Sequence, residues 1–230
     1  MNKPICLPLG LLLMLGALPA REFKLGDNRW EIKTSISGRA FVDDDVVVEF
    51  ADFIALPDPV PNPKKNDPEY QKKFYPEFEN KPGLREGDIV TVRGWLHLVS
   101  LEDDGDYKMQ ISDDPDLGYK CILARVPLND AKFVKTTLLR ARLNDIRQQL
   151  SVAATGYVYY LAREGGTTVL KRREAAEAGT LISPSLQVEV TGQLFYDNGL
   201  IDEKQKAKKG MRAATHWTLH PVSNLKFISE

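Results

Sequence analysis

Ile89-Val90-Thr91-Val92-Arg93-Gly94-Trp95-Leu96-His97-Leu98-Val99 is the stretch on which the fold turns. It is rich in β-branched and aromatic residues, holds no proline, and follows the turn signal Gly87-Asp88, so it reads as one long strand. Strand alternation puts Val90, Val92, Leu96 and Leu98 on one face, with Gly94 among them, and Arg93, Trp95 and His97 on the other. A glycine in mid-strand marks a bulge or a tight bend, as where a sheet curls toward a barrel.

Working toward the C-terminus, Leu101 to Gly105 makes a charged turn. Strands are expected at Tyr107–Ile111 and Lys120–Val126, separated by an acidic loop with Asp113, Asp114 and Asp116. Pro127-Leu128-Asn129-Asp130 offers capping side chains for a helix. From Ala131 to Leu150, Val134, Leu138, Ala141, Leu143, Ile146 and Leu150 recur at intervals that give one amphipathic face. Thr155–Leu161 and Thr167–Lys171 flank Glu164-Gly165-Gly166 as a hairpin. Two more strands read as Leu186–Tyr196 and Thr215–Val222. Three strands, a helix and then further strands is the order of an OB-fold, a small curled Greek-key barrel. The expected fold class is therefore mainly β with one long helix, an OB-fold-like β-barrel over 87–230, with N-terminal strands and an inserted hairpin. A split sandwich gives the same string and is the second choice.

Toward the N-terminus, residues 57–86 hold seven prolines (57, 59, 61, 63, 68, 76 and 82), which remove too many backbone donors for a regular element and predict a loop or linker. Tyr70, Phe74, Tyr75 and Phe78 predict that its second half packs onto the domain. Residues 21–56 read as short strands at Trp30–Ile36, Ala40–Val42 and Val46–Phe50. Residues 1–20 have a Lys3 head, an apolar run and a close at Leu18-Pro19-Ala20, which predicts a removable signal peptide and a secreted or periplasmic protein. The run is too short to span a bilayer comfortably, so no integral membrane segment is expected after cleavage. Cleavage also removes Cys6 and leaves Cys121 alone, with no internal disulfide to close. Acidic and basic residues number 32 and 31, so no global field draws the chain to nucleic acid or an anionic membrane, and such binding needs a local patch.

Motifs with chemistry are sparse. Asp104-Gly105-Asp106 offers two carboxylates to a hard cation such as Ca²⁺, but Asp-Gly is also a favoured hairpin turn. His216 and His220 are four apart, about 14 Å along a strand, too far for one zinc ion. Cys121 sits in an apolar strand and reads as core. There is no nucleophile elbow and no glycine-rich phosphate cradle. What remains is a surface. Arg93, Trp95, His97, Tyr107, Tyr119, Tyr157, Tyr159, His216, Trp217 and His220 supply aromatic and cationic groups, and Lys204, Lys206, Lys208, Lys209 and Arg212 form a basic loop. Together these suit stacking on bases or sugars, though most aromatics in a small barrel are core and a lysine-rich loop is usually a solvated one.

Four segments, Gly94-Trp95-Leu96-His97, Glu102–Tyr107, Gly192–Asp197 and Trp217–Val222, together resemble a group of secreted bacterial proteins with an OB-like domain and no settled biochemical role. That group usually has an acidic residue where this chain has Thr218 and often a histidine where it has Lys108. The resemblance spans roughly 87–228 and implies fold and setting, not activity. Asp104-Gly105-Asp106 more weakly resembles the calcium element of the thermonuclease family. That family also needs a second aspartate in an Asp-Thr-Pro-Glu context and two arginines, where this chain has Arg125-Val126-Pro127.

The leading expectation is an exported non-enzymatic binding module without a cofactor, its ligand an oligonucleotide, a glycan or a protein. The alternatives are a calcium-type phosphodiesterase or nuclease at Asp104 and Asp106, and an envelope-associated interaction protein.

Overall fold

A computed structural model describes residues 29–36, 46–60, 62–64, 67–72, 74, 84–102, 104–116, 118, 120–132, 134–153, 158–164, 167–173, 180–198 and 211–228. The expected signal peptide, the strand at 40–42, and Tyr119, Tyr157, Lys204, Lys206, Lys208 and Lys209 lie outside these residues.

The elements run α1 (Trp30–Lys33), β1 (Val46–Val47), α2 (Phe50–Ile54), α3 (Pro68–Lys72), β2 (Ile89–Leu101), β3 (Tyr107–Ser112), β4 (Lys120–Val126), α4 (Thr137–Ala153), β5 (Val158–Glu164), β6 (Thr167–Arg173), β7 (Thr180–Tyr196) and β8 (Arg212–Phe227). The molecule is mainly β, with a few helices. Its strands pair in the order β2-β3-β4-β8-β7, and β7 returns to β2, which closes a five-stranded barrel. Within the ring only β4 and β8 run parallel. Within the ring every strand therefore has a neighbour on both sides. β1 adds to β2 from outside, pairing Val46 with Val90, and β5–β6 form a separate hairpin between α4 and β7.

The first part of the face assigned to β2 is the inner one: Val90, Val92 and Leu96 are buried with Met109, Ile111, Ile122, Val190, Leu194 and Leu219, but past a register shift Val99 joins this core in the place expected for Leu98. Gly94 lets the strand pass close to β3, since a Cβ there would meet Ser112 O at 2.5 Å and Ile111 Cγ2 at 2.7 Å. The bulge itself falls three residues later. Leu96 pairs with Ile111 and Leu98 with Gln110, so His97 is the extra residue. Gly105 takes the left-handed backbone (φ 85°) that the Asp-Gly turn requires.

Three expectations are corrected. Trp30–Ile36 is not a strand: α1 makes one helical turn, with Thr34 Oγ1 donating to Trp30 O at 2.9 Å. The alternation of Ile32, Thr34 and Ile36 was too short to separate two periods. Val46–Phe50 shrinks to a two-residue strand, and Phe50 opens α2, burying Phe53. The expected helix from Ala131 begins only at Thr137. Asp130 Oδ1 instead accepts from Lys132 N at 2.7 Å, and Asp130 O from Val134 N at 2.9 Å, which makes a separate turn. The buried face of α4 then runs through Leu139, Leu143, Ile146 and Leu150, while Leu138, expected on it, is exposed.

The described part of the proline-rich segment packs onto the barrel and contains one turn of helix, α3, which proline tolerates in a first turn. Tyr70 is buried, its hydroxyl 3.2 Å from Tyr196 O, and Trp217 Nε1 donates to Pro57 O at 3.0 Å. Of the other aromatics expected to anchor the segment, Phe74 is exposed but lays its ring against Gly87, where a Cβ would meet Phe74 Cδ1 at 3.0 Å, and Tyr75 and Phe78 lie outside the described residues. No described helix is long and apolar enough to cross a membrane.

Candidate functional site

Two polar constellations stand out, one open and one closed. The open one is a groove of about 830 Å³ on the outer wall of β2 and β7. Its origin is a proline. Leu96 pairs with Leu186 and Leu98 with Leu181, so residues 182–185 leave the ladder where Pro184 has no backbone donor to give. The looped-out segment leans over the β3–β4 loop, and Ser185 Oγ donates to Pro115 O at 2.6 Å. Between them lie half-buried Trp95 and, directly across the ladder, half-buried Gln187. Neither side chain makes a hydrogen bond among the described residues. Ser183 and Asp116 stand exposed at the rim.

His97 also borders the groove, but it is buried and spoken for: its Nε2 lies 2.7 Å from Ser112 Oγ and 2.9 Å from Asp114 O. Burial lowers its pKa, outweighing the nearby Asp114 and Asp116. Besides His97, Asp116 is the one titratable side chain in the lining of the groove among the described residues.

The closed constellation sits on the outer wall of β4, β7 and β8, beneath α1. Gln193 Nε2 donates to Ile32 O at 3.3 Å and to His220 O at 3.4 Å, which pins the α1 backbone over these strands. Buried here are Asp106, His220, Gln193, Asp197 and Lys33, with half-buried Arg125 beside them. His220 Nε2 is 3.3 Å from Asp106 Oδ2, and the His220 ring meets Phe195 edge-on at 5.4 Å. Burial alone would raise the Asp106 pKa, but His220, Arg125 and Lys33 outweigh it and hold the carboxyl below the usual range. Burial lowers Lys33 in spite of Asp197. Deeper still, Arg29 makes a two-pronged ion pair with Glu86, with NH2 to Oε2 at 2.9 Å and both side chains fully buried. Its guanidinium also lies 4.4 Å over the Tyr70 ring.

No protein-family profile matches this chain, and neither a curated protein nor a solved structure matches it. The chemistry of these two constellations is therefore read from their own atoms.

Among the described residues the expected aromatic groups do not assemble as one surface. Trp95 lies in the groove, but Trp217 is core, packed on Tyr196 at 5.0 Å. Tyr107 lies half-buried under the Arg147 guanidinium, 4.5 Å away. His216 pairs with Asp58 at 2.9 Å and His220 with Asp106, so neither points at a shared ligand. Arg93, exposed two residues from Trp95, spends its Nε and NH2 on Glu189, each at 2.9 Å, and Lys226 reaches the same carboxylate at 2.9 Å. Asp104 Oδ1 accepts from Asp106 N at 3.1 Å, an Asx turn that uses one carboxylate to shape the loop. Among the described residues no group of three or more His, Cys, Asp or Glu converges as a metal site requires. Sequence reading missed Gln187, Ser185 and Pro115 in the groove, and Lys33, Gln193 and the Arg29–Glu86 pair beneath the N-terminal segment. The one available signal was Ser183-Pro184 just ahead of a strand pattern, which announces a break in the ladder.

Proposed function

We propose that this chain is an exported, non-enzymatic binding module built on an OB-like barrel, with its ligand seated in the groove at Trp95. The OB-like reading rests on the ring order, on the parallel pairing of the third and fifth barrel strands, and on the helix that follows the third. The groove carries the functional part. It is an open concavity of about 830 Å³ that presents an indole and an amide with no hydrogen-bond partner among the described residues, within the roughly 300–1,000 Å³ usual for ligand sites.

The alternative, calcium-assisted phosphodiester hydrolysis, gains little from the geometry. Asp106 is sealed against His220 and already neighbours Lys33 and Arg125, so a divalent ion there would face two cations. The envelope-protein alternative relies on the proline-rich segment, whose Tyr70 and Pro57 carbonyl are engaged internally.

Incubating the purified protein with single-stranded DNA and RNA, in calcium or in chelator, separates a binder from a nuclease. Intact substrate in both conditions removes the nuclease alternative, and a mobility shift or a groove-localised response to another ligand is what supports the binding reading. Calcium-dependent cleavage that disappears in a folded Asp104→Asn variant overturns it.

A further inference from the structure

The groove differs from a nucleic-acid site in its electrostatics. A strand of phosphates needs cations along its track. Among the described residues the lining holds no Lys or Arg and one carboxylate residue, Asp116, with Asp113 and Asp114 exposed beside it on the same loop. On the other side, Arg93 and Lys226 share Glu189, which leaves one unit of positive charge against three aspartates. His97 adds none, because burial keeps it neutral and its Nε2 is occupied.

What the groove does offer is a flat indole whose Nε1–H has no partner among the described residues, the Gln187 amide directly across from it, the Ser183 hydroxyl and the Asp116 carboxylate. An aromatic plane takes up the C–H face of a pyranose ring, an amide at its edge both donates to and accepts from ring hydroxyls, and a carboxylate there accepts from them. The apolar contribution of Leu186 and Ile228 lies on the same wall. We infer that the groove binds a neutral oligosaccharide, with one sugar ring stacked on Trp95 and its hydroxyls held by Gln187 and Asp116. The inference rests on the binding-module reading above and names the ligand class for the same site.

The test is a titration of the isotope-labelled protein, following the Trp95 indole N–H and the Gln187 side-chain amide by NMR. The probes are cellohexaose, chitohexaose and maltohexaose, a deoxythymidine oligonucleotide and an extended uncharged peptide. The expected result is saturable shifts at both groups with at least one neutral saccharide. Trp95→Ala should weaken that binding about tenfold or more, and Trp95→Phe should retain much of it. Both positions are half-buried on the outer wall, and the unchanged Trp217 signal reports that each variant is folded. Shifts at the groove with the oligonucleotide or peptide, and none with the saccharides, overturn the sugar inference and leave the binding module standing. Saccharide binding that is indifferent to Trp95→Ala overturns the inference as well. If no probe of any class moves the groove signals, both readings fall.

Discussion

His220 Nε2 lies 3.3 Å from Asp106 Oδ2, with neither side chain exposed, and so ties the last strand of the barrel to the turn between the first two. The pair is held in a setting that favours an ionised Asp106, with Lys33 and Arg125 near it. For His220, burial is the larger influence and lowers its pKa in spite of the carboxylate.

A pH dependence follows. In the unfolded chain His220 takes up a proton near pH 6.5, whereas the native side chain resists it. A depressed native pKa contributes stability that is complete above the unfolded value and is lost as pH falls. Urea unfolding should therefore show stability declining below about pH 6.5, by at most about 1.4 kcal/mol per pH unit for this one proton. His97, lowered in the same direction by burial, steepens the decline. A His220→Gln variant should have a flatter profile between pH 7.5 and 5.5; an unaltered slope would place the titration elsewhere.

Asp106→Asn should be costly for a different reason. It leaves Lys33 and Arg125 with less compensation in a site closed to water, and removing one partner of a buried charge set typically costs about 3–5 kcal/mol. Chemical denaturation at pH 7.5 measures this, and a loss under about 1 kcal/mol would mean that water reaches the cluster.

Arg29 and Glu86 make a second such pair, and Glu86 Oε1 also accepts from Tyr196 N at 2.8 Å. Arg29→Met strands the carboxylate, and a loss of about 3–5 kcal/mol is expected. The double variant Arg29→Met, Glu86→Gln should recover part of that loss. Additive losses would show that the two side chains do not depend on each other.

Gly94→Ala is a test of barrel curvature. The added methyl meets Ser112 O and Ile111 Cγ2 at distances no real contact sustains, so β2 and β3 must separate. Overpacking of this kind costs about 1–3 kcal/mol. Thermal unfolding should show a lowered midpoint for Gly94→Ala and little change for a substitution at exposed Arg93.

Cys121 is buried in β4 and its thiol is pushed up to about 12 by burial. It should not react with a thiol-specific disulfide reagent in the native protein and should react fully in denaturant. Fast labelling of the native state would mean that this part of the wall opens.

Apart from Trp95 and His97, which border the groove, several residues in the segments that carry the resemblance to secreted OB-like proteins have structural roles here. Gly94 and Gly192 permit close strand passage, Trp217 fills the core, and Asp106 and His220 form the sealed pair. They specify how the wall is built, whereas Gln187 and Asp116 in the groove lie outside those segments.

Alternating apolar residues in β2, β3, β4, β7 and β8, with glycines and Asp-Gly where the backbone must bend, were enough to read the barrel strands in order, because each signal is local. α1 was misread because a one-turn helix is held by what it docks onto: Ile32, Lys33 and Thr34 are buried against the barrel wall, and no window of a few residues contains that wall. The groove was half legible. Trp95 could be placed on the outer face by counting, but Gln187, some ninety residues away, becomes its neighbour only through antiparallel pairing of β2 with β7. The charge cluster was hidden for the same reason. Sequence by itself determined which residues alternate and where the chain can turn. Tertiary structure decided which charges are paired and which side chains remain open, because burial and opposite charge act through space between residues that the chain keeps far apart.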